Sequence, residues 1–399
     1  MYTGVIAWEL SLRETPPFGA GSIEKEWRLL CACTSPTVDS QGIQEILGQG
    51  VDWNVFFPLA IEHSVSGLVA GRLQQLNYET VPQDWREKLQ SRMRAQHLFT
   101  LSMTAELFRI LDAFSKSHIE TLLVKGPIVS FLAYGDAAMR SYVDLDLLVR
   151  HDDILSAAQQ MLAIGFEPAF PFAAIRAGKI PGEYLFRRPG TQRIIELHTE
   201  RSFRYYPVRL PLADFFARQR LVALDGRDVP VLSLEDEFVL NCIHGAKHFW
   251  ERLMWLADIA AIVSRHPELD WRRAKQNAAD VGALRMLYLA LQVSENVLGT
   301  TVPAELAADV AADALVRSLC LQVARWLPQA GFAPPALWER AGFRVKMRGG
   351  GIAGVGYLLR LSLSPTDEDW QKGAEDGRWW LWDALLRPLR LIRKYGQGH

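Results

Sequence analysis

The chain has 399 residues, of which 49% are hydrophobic and 22% charged, with a formal net charge of −1. That length can bury a sizeable core in two or three lobes, and the balanced charge exerts no overall pull toward nucleic acid or an anionic membrane. The first residues lack the basic-then-apolar layout of a signal peptide, no apolar run approaches the ~20 residues of a membrane span, and four cysteines are too few for a disulfide framework, so a cytoplasmic protein with reduced thiols is expected.

In chain order, residues 1–22 contain Pro16-Pro17 and read as an irregular arm. Helices are predicted for Ile23–Cys33, Ser40–Gly48, Asp52–Leu76 with a break at Pro58, and Pro82–Phe114. The last is long enough to brace one side of a sheet. Solitary His63 and His97 on these helices read as surface or satisfied core residues. Thr121–Val124 is a short apolar strand that ends at Lys125-Gly126, and Pro127 then suits the first position of a helix whose apolar face runs over Ile128–Ala133. Asp144–Val149 alternates as a strand does, so Asp144 and Asp146 point one way while Leu145 and Leu147 enter a core.

A helix from His151 to Leu162 follows, ended by Gly165, with a strand predicted over Phe166–Phe172. Tyr184–Arg188 and Gln192–His198 form a predicted hairpin around Pro189-Gly190, and Leu221–Leu224 and Val229–Leu232 another around Asp225-Gly226. Between them, Arg201, Arg204 and Arg209 mix with Phe203, Tyr205 and Tyr206, a composition that suits either a base and phosphates or a solvated loop. Ser233 caps a helix predicted to run unbroken past Ala260. One face of it carries Phe238, Val239, Cys242, Phe249, Leu253 and Leu256; the other gathers His244, Lys247, His248, Glu251, Trp255 and Asp258, either as the wall of a cleft or as a polar interface. Residues 271–327 are helical in pattern, interrupted at Gly299–Pro303. Gly349–Gly351 reads as a flexible connection, Pro365–Trp370 as an acidic turn, and Trp379–Leu391 as a short helix with Arg387, Arg390, Arg393 and Lys394 at the terminus.

Two carboxylates side by side are costly unless a cation sits between them. On an exposed strand an Asp-x-Asp pair would be ordinary surface, but Leu147–Val149 makes this strand too apolar for that. Glu196 and His198 share one face of another strand, so three carboxylates, Asp144, Asp146 and Glu196, are expected to gather at a divalent-metal site.

Lys125-Gly126, Arg140, Asp144-x-Asp146 and Glu196-x-His198 resemble the DNA polymerase β-type nucleotidyltransferase superfamily, and more narrowly its uncharacterised bacterial nucleotidyltransferase branch. The resemblance continues through Trp53–His63 and Val81-Pro82, His244–His248, Trp255–Asp258 and Arg387–Arg390, covering the chain from about Trp27 onward. Here the turn is Gly126-Pro127, without the serine usual in the superfamily, and eighteen positions separate Gly126 from Asp144. The resemblance implies an α+β fold: a helical region over 1–118, a nucleotidyltransferase core with a mixed sheet over 119–232, and a helical region over 233–399. It also implies transfer of an NMP group from an NTP to a hydroxyl acceptor, with Mg²⁺ or Mn²⁺ held by Asp144, Asp146 and Glu196 and pyrophosphate released. Lys125, Gly126, Arg140, His198, His244, His248 and Asp258 are the implied nucleotide contacts. The acceptor, whether small molecule, sugar, peptide or protein, is left open, and a nucleic acid polymer is not expected. The missing serine keeps two alternatives in view: an accessory protein that binds nucleotide without turnover, and a kinase-like modifier of a peptide or sugar.

Overall fold

Seven short strands join into one mixed sheet, the central pair of them, Thr121–Val124 and Asp144–Val149, buried on both faces and the outer ones alternating between core and water. The computed structural model describes residues 23–169, 171–176, 182–199, 210–330 and 335–349, with Gly354 and Gly356. The aromatic-basic run at 200–209, the arm at 1–22, and the predicted turn and basic helix beyond 357 lie outside the described residues.

Four helices lead in: α1 (Glu24–Thr34), α2 (Ser40–Leu47), α3 (Trp53–Glu62) and α4 (Ser66–Gln75). Asp39 and Asp52 accept hydrogen bonds from the first-turn amides of α2 and α3. The break predicted at Pro58 falls elsewhere, because α3 runs through that proline and stops near Ser64, whose backbone is left-handed (φ 58°). His63 is buried in the core and accepts from the Leu253 amide. The 34-residue α5 (Gln83–Lys116) follows, about 50 Å long at 1.5 Å per residue. Its buried Glu106 pairs with Arg188 at 2.8 Å and with Arg193, clamping the predicted hairpin to the helix.

The sheet then forms from β1 (Thr121–Val124), β2 (Asp144–Val149), β3 (Glu167–Pro168), β4 (Glu183–Arg187), β5 (Ile194–His198), β6 (Arg220–Leu224) and β7 (Arg227–Val231), in the order β3-β4-β5-β2-β1-β7-β6. The centre is β1 antiparallel to β2, with β5 parallel on β2's other side. Between these strands lie α6 (Gly126–Tyr134), α7 (Ile154–Ala163), the short α8 (Phe172–Arg176) and α9 (Leu212–Ala217). The strand predicted over Phe166–Phe172 shrinks to β3, since Phe172 already starts α8.

Beyond the sheet, α10 (Leu234–Lys247) and α11 (Leu253–Arg265) replace the single long helix of the sequence reading. Phe249 and Trp250 both adopt left-handed backbone (φ 58° and 56°), which no α-helix continues through. The Trp250 ring folds back over Gly245, where a β-carbon would lie 2.3 Å from its atoms. α12 (Trp271–Asp280), α13 (Leu284–Leu298), α14 (Ala304–Ala312), α15 (Ala314–Trp326) and α16 (Leu337–Met347) complete the described elements. The fold is thus α+β, a mixed sheet with helical flanks. One continuous apolar core runs from Leu29 to Met347.

Candidate active site

The register of the central strands brings the polar residues of the core together. In parallel pairing Asp146 stands beside Glu196, and in antiparallel pairing Val124, the residue before Lys125, stands on its other side. Side chains two apart on a strand share a face, so Asp144 and Asp146 lie on the same side as Glu196 and His198. Ligand atoms of Asp146, Glu196 and His198 all fall within 4.8 Å of one another.

Asp146 is the hub. Its Oδ1 accepts from the Lys125 ammonium at 2.7 Å and lies 2.6 Å from His198 Nε2, which is itself 3.4 Å from a Glu196 carboxylate oxygen. Burial opposes the charged form of Asp146, but Lys125 and then His198 override it and hold the carboxyl well below the usual carboxylate range. Burial and Lys125 disfavour protonation of His198, yet its bonds to Asp146 and Glu196 raise its pKa to about 9. Asp144 is only half-buried by surface, and burial together with the charges of Asp146 and Glu196 pushes its pKa up to about 8. Three carboxyl groups thus face two cationic side chains, and the raised pKa of Asp144 shows that the third negative charge is disfavoured while no further cation is present. Carboxylate oxygens at this spacing, with an imidazole nitrogen that becomes a ligand on losing its proton, fit a divalent cation.

The turn after β1 is as expected in place and unusual in shape. Lys125 has φ 53° and ψ −149°, Gly126 has φ 42°, and Pro127 occupies the first turn of α6. A β-carbon on Gly126 would meet only the Asp144 carbonyl and the Tyr142 ring at ordinary contact distance, so the backbone angle rather than space calls for glycine. The Lys125 amide donates to Glu237 in the first turn of α10 at 3.0 Å. Sequence reasoning missed Glu237. Its one visible signal was its spacing, seven residues before His244 and so on the same polar stripe of the helix. Burial pushes its pKa up to about 7, against the pull of the Lys125 amide and ammonium and of Asn241.

The remaining predicted residues fall into two groups. Arg140 and Asp258 are almost fully buried and bound to each other, Nε to Oδ2 at 2.7 Å, with the Tyr134 hydroxyl donating to the second Asp258 oxygen at 2.9 Å. They join the loop before β2 and α6 to α11, beneath the carboxylates. His244 on α10 and His248 at its C-cap are half-buried, their rings 4.7 Å apart and both within 5.5 Å of Trp255.

Over residues 49–299 the chain matches the family described as uncharacterised nucleotidyltransferase. No curated protein matches it. Among solved structures, an antigenic nucleotidyltransferase-like protein from Paracoccidioides brasiliensis is 18% identical, with a TM-score of 0.31, over 50% of this chain and 94% of that one.

Proposed function

Because this chain belongs to the uncharacterised nucleotidyltransferase family, we propose that it moves an NMP group from an NTP to a hydroxyl-bearing acceptor and releases pyrophosphate. The observation that supports this most is the convergence of Asp146, Glu196 and His198 beside Lys125 and the start of α6. Asp146, Glu196 and His198, with Asp144 adjoining, would hold Mg²⁺ or Mn²⁺. Such an ion, when bound, supplies charge neutralisation for the triphosphate and lowers the pKa of the acceptor hydroxyl.

The chain's own residues do the rest. Pro127 has no amide hydrogen and the amides of Ile128 and Val129 bond the Lys125 carbonyl, so what the start of α6 offers phosphate oxygens is chiefly the positive end of the helix dipole. The Lys125 ammonium, buried against Asp146, adds a fixed positive charge next to that helix end. Glu196 keeps part of its carboxylate open and serves to take the proton from the acceptor hydroxyl. In this assignment residues 119–232 carry the chemistry, while the described helices before and after them, α1–α5 and α10–α16, flank it.

The test is pyrophosphate release from each of the four NTPs with Mn²⁺ or Mg²⁺, against a panel of hydroxyl acceptors. Asp146→Asn and Glu196→Gln are expected to reduce it at least about a hundredfold, the scale of losing a group that acts only in the transition state. Transfer of the γ-phosphate instead would mark a kinase-like enzyme, and tight binding without turnover an accessory protein.

A further inference from the structure

α10 crosses the site from end to end. Its first turn is tied to the catalytic turn by Glu237, which accepts from the Lys125 amide at 3.0 Å. Its last turn is tied to β4 by Lys247, 3.5 Å from Glu183, and Glu183 is the register partner of His198. A helix fixed at both places lies along the sheet face that bears the carboxylates. Glu237, Asn241, His244 and His248 follow at intervals of four, three and four, so they form one stripe of that helix. The stripe that meets Lys125 at its start therefore presents both imidazoles further along the same cleft. Electrostatics agrees, since after burial and neighbouring side chains the Lys125 ammonium is among the charges that keep both rings from protonating.

Trp255, from the first turn of α11, completes the group: it meets His248 at 5.2 Å with 31° between the rings and His244 edge-on at 5.5 Å. All three side chains are half-buried. Nδ1 of His244 is buried and has no hydrogen-bond partner among the described residues. Uncharged imidazoles offer no net charge to phosphate, and a flat, half-exposed aromatic surface suits a flat heteroaromatic ligand.

Resting on the nucleotidyl-transfer reading above, we propose that His244, His248 and Trp255 form the stacking wall for the nucleobase of the NTP, with the triphosphate extending toward Lys125.

Calorimetric titration of the full chain with Mn²⁺ tests this, using α,β-methylene analogues of ATP, GTP, CTP and UTP in turn and, separately, inorganic tripolyphosphate. Wild type is expected to bind at least one analogue more tightly than tripolyphosphate. Trp255→Ala and His248→Ala should each weaken that analogue by about tenfold or more, the scale of one lost base stack, and leave tripolyphosphate affinity unchanged. Trp255→Phe keeps a ring and should recover most of the loss, which a purely structural role for the indole would not predict. Equal affinity for tripolyphosphate and every analogue overturns the proposal and leaves nucleotidyl transfer standing. Unchanged analogue binding by Trp255→Ala, or a parallel loss for both ligands, overturns it as well. Wild type binding neither ligand overturns both this wall and the function it rests on.

Discussion

Lys125 and Glu237 show how much of this site is set by single side chains. A lysine with positive φ is costly unless its surroundings fix it, and the Glu237 carboxylate does so by accepting from the lysine amide. That carboxylate is buried, with its pKa raised from 4.5 to about 7. The folded state therefore holds the proton more tightly than the unfolded chain. The corresponding stability is fully present below about pH 4.5 and is lost as pH rises through about 7. Relative to Glu237→Gln, the wild type is expected to lose on the order of 3 kcal/mol between pH 4.5 and 8. Urea denaturation of both proteins across that range checks this, and parallel curves would contradict it. Lys125→Ala acts on the opposite charge. It leaves Asp146 buried with one partner fewer and is expected to cost roughly 3 kcal/mol in chelator, with Mn²⁺ restoring part of the loss and NTP affinity, measured calorimetrically, reduced.

At the scale of elements, the turn between α10 and α11 places the polar stripe. A β-carbon at Gly245 would collide with the Trp250 ring, so Gly245→Ala is expected to destabilise by roughly 1–3 kcal/mol. A thermal melt reads this directly, and an unchanged melting temperature would mean that the ring is free to move. Arg140 and Asp258 pose a different question, because the sequence offered both as nucleotide contacts and the structure binds them to each other at 2.7 Å. Asp258→Ala leaves a buried guanidinium unpaired and is expected to cost roughly 3–5 kcal/mol, while the Kd for NTP of the folded variant moves less than threefold. A large loss of affinity with little loss of stability would reverse that assignment.

Across the whole molecule, one core links the lead-in helices to the sheet and the sheet to the later helices. The Ser35 hydroxyl donates to the Leu298 carbonyl at 2.7 Å, which shows how far apart in sequence these contacts reach. Residues 119–232 expressed alone are therefore expected not to fold, because β1's turn would lose Glu237 and α6 would lose α11. Circular dichroism and dye binding on that fragment would test it, and a sharp cooperative melt would count against a shared core. Much of this was legible in the sequence. Alternation in Asp144–Val149, the glycine turn and the Asp225-Gly226 hairpin each follow from local chemistry. What escaped were features decided by distant partners: the break at Phe249-Trp250, the helix running through Pro58, Glu237 reaching Lys125 across 112 positions, and the choice of His198 rather than Asp144 for the tightest cluster. Periodicity carries no information about such pairings.

The ammonium of Lys125 has one more consequence, for the sequence of events at this site. A tethered cation already rests on Asp146, so a free metal ion arriving alone would compete with a neighbour that never diffuses away. A triphosphate changes that contest, because its own negative oxygens give the ammonium somewhere else to point. On the proposed function, the lysine would act as a doorkeeper whose release depends on the cargo, and it would favour joint arrival of metal and nucleotide over capture of metal alone.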